Sequence, residues 1–138
     1  YNHMNCWRGE VPVKEIVNTL PAWKRPVGWL FMKSLENRYN LIEGWSIPYL
    51  IQIRKVTGDM ALFLVGGMRR TAHMEEVLEK GYADFIALAR PFIREPNFVK
   101  RVMEGKTSES SCISCNRCIA GVMHDLPTAC YKNGLPDS

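Results

Sequence analysis

The sequence predicts an α/β fold organised around two parallel strands joined by a helix. Three observations predict it. Residues 61–65 (ALFLV) are a continuous apolar run bounded by Asp59 and by Gly66-Gly67. That length and those borders suit a strand buried on both faces. From Thr71 the period changes: Met74, Val77 and Leu78 fall at i, i+3 and i+4, one face of a helix. Thr71 is a candidate N-cap, Glu75 and Glu76 follow where negative charge suits the helix dipole, and Gly81 closes the helix as C′. Residues 85–88 (FIAL) form a second apolar run that ends at Ala89-Arg90-Pro91. The order strand, helix, strand makes the two strands parallel and their connection right-handed.

Taken in order, residues 1–10 carry neither a helical nor a strand period and read as loop. Cys6 is isolated and reads as a bystander; His3 has no partner at ligand spacing. Residues 13–20 can form a short helix with Ile16, Val17 and Leu20 on one stripe, stopped by Pro21. Residues 21–32 are rich in aromatic and apolar side chains without a clean pattern and read as a packing segment. Ser46 can cap a helix over 47–57, with Pro48 in the first turn, where a missing N–H costs little, and Gly58 at its end. After Pro91, Pro96 opens a last helix carrying Phe98, Val99, Val102 and Met103, ended by Gly105. Residues 106–111 are a polar linker.

Composition narrows the function classes. Apolar residues make up 46% of the chain, ordinary for a globular domain. The net charge of +4 comes from Lys and Arg interspersed with acids, so no nucleic-acid-binding stripe is present. No stretch is long enough to span a membrane. The N-terminus lacks a basic region followed by a long apolar run, so no signal peptide is read and a cytoplasmic location is expected.

The two strand ends carry chemistry of one kind. Gly66 and Gly67 let the backbone approach a ligand, because no Cβ stands in the way. The amides of that turn and of the following helix N-terminus can point at an anion. Arg90, just past the second strand, can grip a phosphate with two hydrogen bonds. In parallel α/β folds ligands lie at the carboxyl ends of strands. The plainer alternative is a Gly-Gly turn and a surface arginine. In the tail, Cys112, Cys115, Cys118 and Cys130 are spaced C-x2-C-x2-C-x11-C. Three close thiols and a fourth a loop away are an iron–sulfur spacing. Four thiolates satisfy tetrahedral zinc equally well, and disulfides or reduced thiols remain further readings. His124 lies between the ligands but beside Gly, Asp and Pro reads as a loop residue.

The stretch VGGMRRTAHMEEVLEKGYADFIALARPFIREP resembles the end of the barrel in the FMN-containing old yellow enzyme family of NADH:flavin oxidoreductases. Barrels of that family close with a Gly-Gly-x-Arg turn after strand seven and a Gly/Ala-Arg-Pro turn after strand eight. The match falls on Gly66, Gly67, Arg69, Ala89, Arg90 and Pro91, with Ala89 where many members have Gly. The Cys-Ile-Ser-Cys-Asn of residues 112–116 is similar to the Cys-Ile-Gly-Cys-Asn of the branch that includes 2,4-dienoyl-CoA reductase and trimethylamine dehydrogenase. In that branch the segment binds a [4Fe-4S] cluster. The resemblance covers about residues 47–130.

The resemblance implies the last two strand–helix units of a (β/α)8 TIM barrel over residues 46–105. Residues 1–45 would be an irregular or helical excursion near the barrel mouth, and residues 106–138 a Cys-rich tail. It implies FMN held at its phosphate by Gly66, Gly67, Ala89 and Arg90 with Arg69 close by. It also implies NAD(P)H as electron donor, reduction of an activated alkene, and a [4Fe-4S] cluster on Cys112, Cys115, Cys118 and Cys130. A complete barrel takes on the order of 250 residues, and this chain has 138. The expected partner is therefore the remainder of the barrel, with self-association of the 138 residues as a substitute. No nucleic acid or membrane partner is expected. The catalytic residues should lie on the earlier strands, so this chain is expected to be inactive alone. The rival readings are a small zinc-binding interaction module and a non-redox phosphate-binding barrel enzyme.

Overall fold

The computed structural model describes residues 8–36 and 38–136. Cys6 and His3 lie outside them. The chain divides into two compact units: Tyr1–Leu41 with Ile113–Ser138, and Ile42–Cys112.

The second unit holds the strand–helix–strand core. Helix α3 (Ile47–Thr57) leads into strand β1 (Phe63–Leu64), helix α4 (Thr71–Glu79) and strand β2 (Phe85–Ile86). The strands are parallel, with Phe63 opposite Phe85 and Leu64 opposite Ile86. Leu50 of α3 and Val77 of α4 meet Leu62, Leu64, Met68 and Ala83 in one buried cluster. The shared helix stripe and the inward face of the strands therefore make a single core. Gly58 and Gly81 follow α3 and α4 at φ +54° and +65°, a left-handed conformation that glycine adopts without a Cβ penalty. Asp84 ties the strand starts together: its carboxylate accepts from Leu62 N–H at 2.7 Å and from Arg54 at 2.6 Å.

Two expectations for this unit need correction. Both strands are shorter than the apolar runs 61–65 and 85–88 that predicted them. Nor are they buried on both faces. Burial alternates from Leu62 to Gly66, and Phe63 and Val65 are 59% and 60% exposed while Leu64 is fully buried. Phe85 is 51% exposed and stacks on Phe63 with ring centroids 4.7 Å apart. Among the described residues, the helices of this unit cover one face of the pair and leave Phe63, Val65 and Phe85 of the other exposed. An apolar run that would be a central strand in a covered sheet is therefore half-exposed here.

Two caps also differ. Ser46 is the N-cap residue of α3, but its hydroxyl makes no cap bond and donates to Val65 O at 2.7 Å. Thr71 is the first helical residue rather than the cap, and both its N–H and its hydroxyl donate to Ser108 O. In each case a carbonyl brought close by tertiary structure takes the hydroxyl that a local reading assigns to the helix end.

After β2 come α5 (Arg90–Arg94), which the sequence reading takes as a turn, and α6 (Phe98–Met103) with Gly105 beyond it at φ +68°. Phe98 is buried. The chain then returns antiparallel along the end of β1, bridging Arg70 and Glu109.

In the first unit α1 (Val13–Asn18) packs against α2 (Arg25–Leu35) and against α7 (Arg117–Met123). Val13, Val17 and Ala120 are buried. Helix α2 corrects the patternless reading of residues 21–32. It begins with Pro26 in its first turn, where a missing N–H costs little. Helix α7 likewise lies inside what reads as an irregular Cys-rich tail. Among the described residues no helix is long and apolar enough to cross a membrane.

Candidate functional site

Because β1 and β2 run parallel in register, the turn 66–70 and the segment 89–91 leave the same edge of the pair. Gly66 and Gly67 therefore share an end of the sheet with Ala89 and Arg90, as their positions after the two strands imply. Gly66 is buried against residues 44–46. Its carbonyl accepts from Gly44 N–H at 2.8 Å, and a Cβ on it would stand 2.6 Å from Ser46 Oγ. Gly67 has φ +68°, where a side chain would be strained. Ala89 is the exposed N-cap of α5, and Arg90, half-buried, is its first residue.

The amides at positions 69 and 70 have an internal acceptor. The Glu43 carboxylate, nearly buried, accepts from Arg69 N–H, from Arg70 N–H at 2.8 Å and from Arg70 Nε at 2.6 Å. Burial alone would push the Glu43 carboxyl up, but these donors outweigh it and hold it below the usual carboxylate range. His73 Nδ1 lies 3.7 Å from the same carboxylate. Arg69 reaches the other way: its guanidinium is 2.9 Å from Glu109 and 3.4 Å from Ser110 O, while its buried Nε has no hydrogen-bond partner. Sequence reading missed Glu43, and nothing local could reveal it, since its partners lie 26 and 27 positions on.

A second buried carboxylate holds the segment before the cysteines. Glu95 accepts from Ser110 Oγ at 3.0 Å, Ser111 N–H at 2.7 Å and Arg101 at 2.7 Å, and Ser110 Oγ in turn accepts from Cys112 N–H at 3.2 Å. Burial raises the Glu95 carboxyl, but the Ser111 and Ser110 donors and Arg101 bring it net below its ordinary value. A group with a lower pKa folded than unfolded stabilises the fold above its unfolded pKa and loses that contribution as pH falls through the folded one. Acid titration followed by circular dichroism should therefore show Glu95→Gln less stable than the parent near neutrality. The two should converge below the ordinary carboxylate range. A constant gap down to the acid limit would contradict this account.

The cysteines lie as follows. Cys112, Cys115, Cys118 and Cys130 are each half-buried. Ser114 and Asn116 on either side of Cys115 have φ +55° and +57° and are buried. Ser114 thus occupies, at some strain, a conformation that suits glycine. The Asn116 side chain donates to Glu10 O at 2.9 Å, and Gly9 packs so closely that a Cβ there would stand 2.0 Å from Ser114 O. His124, the C-cap residue of α7, has its Nε2 2.7 Å from Glu15 O. Among the described residues no group of three or more His, Cys, Asp or Glu side chains is arranged to hold a metal ion.

Comparison with known proteins bears on this geometry. Residues 43–109 match the NADH:flavin oxidoreductase / NADH oxidase family. That span runs from Glu43 to the Glu109 partner of Arg69. The chain is 32% identical over 121 residues to the 4,4'-dithiodibutanoate disulfide reductase of Rhodococcus erythropolis, an alignment covering 86% of this chain and 29% of that protein. It is 35% identical over 94 residues to the NADH oxidase of Thermoanaerobacter brockii (66% and 14% of the two chains). Over 97 residues it is 30% identical to a metal reductase of Desulforamulus reducens (69% and 13%). The chain thus spans less than a third of the length of these relatives. No solved structure matches it significantly.

Proposed function

With residues 43–109 belonging to the NADH:flavin oxidoreductase / NADH oxidase family, we propose that this chain is the phosphate-gripping end of an FMN-dependent NAD(P)H oxidoreductase barrel of ene-reductase type. The observation that carries the proposal is the shared sheet edge. Gly66-Gly67 and Ala89-Arg90 follow neighbouring parallel strands and leave the pair on the same side. The donor set there suits a flavin phosphate: the main chain of the Gly66-Gly67 turn and the guanidinium of Arg90, a half-buried residue. The uncovered apolar face of Phe63, Val65 and Phe85 is accounted for if further strands complete a barrel over it.

Held there by Gly66, Gly67, Ala89 and Arg90, FMN would supply hydride-transfer chemistry between a nicotinamide and an activated alkene or similar acceptor. In this reading Arg90 neutralises phosphate charge and fixes the far end of the cofactor. The main chain of the Gly66-Gly67 turn closes on it, and Arg69 stands beside that turn. The groups that bind and protonate the substrate lie on other strands, so the 138 residues alone are inactive. Absorption spectroscopy of the longer polypeptide tests the reading: paired near-ultraviolet and blue flavin bands support it, and a colourless active protein counts against it.

Cys112, Cys115, Cys118 and Cys130 are proposed to bind a [4Fe-4S] cluster. Their spacing and the left-handed residues flanking Cys115 support this. Anaerobically prepared protein should contain about four iron and four acid-labile sulfide per chain. Zinc at about one per chain without sulfide would replace this reading with a structural site.

A further inference from the structure

We propose that Glu43 is a positioning residue for phosphate recognition: its carboxylate is a built-in anion that shapes the Gly66–Arg70 turn before any external phosphate arrives. The proposal rests on the FMN-phosphate reading above and assigns that site a residue it does not otherwise contain.

The segment around Glu43 grips the turn from two sides. Gly44 N–H donates to Gly66 O at 2.8 Å and Ser46 Oγ donates to Val65 O at 2.7 Å, which fixes the carbonyls entering the turn. Glu43 takes the N–H groups leaving it, at Arg69 and Arg70, and also holds Arg70 Nε at 2.6 Å. Hydrogen bonds to an ionised acceptor are shorter and stronger than neutral ones. Without the carboxylate, two successive N–H groups beside a nearly buried side chain would be left to re-pair or go unsatisfied.

The same contacts sort the arginines. Arg70 is turned onto Glu43 and Arg69 onto Glu109 at 2.9 Å. The amides at 69 and 70, which a helix N-terminus would otherwise offer to an incoming anion, are already taken. An external phosphate is thereby directed to the Gly66-Gly67 backbone and to the Ala89-Arg90 side of the edge. Glu43 thus gives the turn its shape and keeps the phosphate off its far end.

Binding of FMN and of riboflavin, which lacks the phosphate, tests this in the natural polypeptide. Fluorescence-quenching titrations of parent, Glu43→Gln, Glu43→Ala and Arg70→Ala give the ratio of the two affinities. Both Glu43 variants should lose roughly tenfold or more in FMN affinity, the scale of one charge-assisted hydrogen bond, with riboflavin affinity changed less than about twofold. Arg70→Ala keeps both backbone bonds to Glu43 and should change the ratio less than about threefold. Equal loss for both flavins would show a merely structural role and overturn the proposal, as would an unchanged ratio in Glu43→Gln. A parent that binds FMN no better than riboflavin would instead overturn the phosphate-site reading itself, and this inference with it. Glu43→Gln is nearly isosteric and serves if Glu43→Ala does not fold.

Discussion

Leu64→Ala is expected to lower the unfolding free energy by about 2–5 kcal/mol, the range for truncating a buried leucine to alanine. Leu64 is fully buried at the centre of the second unit's core, in the cluster with Leu50, Leu62, Met68, Val77 and Ala83. It sits on β1, so the space it leaves is bounded by backbone hydrogen bonds that resist collapse: Ala87 N–H donates to Leu64 O at 2.9 Å. Urea unfolding monitored by circular dichroism gives the shift. Phe63→Ala, from the exposed face of the same strand, is the control and should cost much less in this chain. Equal losses at 63 and 64 would mean that the uncovered face is buried in solution, by a second copy or by other segments of the polypeptide.

Arg90→Ala is expected to weaken FMN binding by about 1.5–3 kcal/mol, the scale of hydrogen bonds to a charged group. The argument runs from the fold. Arg90 is held half-buried at the first turn of α5 by the end of β2 and by Pro91 after it, at the edge it shares with Gly66-Gly67. Arg90→Lys should also weaken binding, because an ammonium cannot make the paired planar contact of a guanidinium. Flavin retained equally by parent and both variants after purification would count against Arg90 as a phosphate ligand.

Much of the second unit was legible in the sequence because its signals are local. The apolar runs at 61–65 and 85–88, the i, i+3, i+4 stripe of α4 and the glycines after α3 and α4 act through neighbours a few positions away. They determined two parallel strands, the helix between them, and the edge from which Gly66-Gly67 and Ala89-Arg90 emerge. Helix α2 escaped the same reading because Pro21 and Pro26 stand at its start and read as breakers, although Pro26 only occupies its first turn. Helices α5 and α7 escaped because Ala89-Arg90-Pro91 reads as a turn and the cysteine spacing dominates residues 112–130.

What only tertiary structure decided is who satisfies whom. Ser46 and Thr71 read as caps, yet their hydroxyls go to Val65 O and Ser108 O, 19 and 37 positions away. Nothing in the local sequence marks Glu43 or Glu95, yet their carboxylates are the acceptors that hold the Gly-Gly turn and the approach to Cys112. The strand faces read as equally apolar, and only the packing of α3 and α4 chose Leu62 and Leu64 for the core and left Phe63 and Val65 outside. Local sequence sets which backbone conformations are cheap. A buried carbonyl, amide or carboxylate takes whichever partner the folded chain brings within about 3 Å, and sequence separation does not enter that choice.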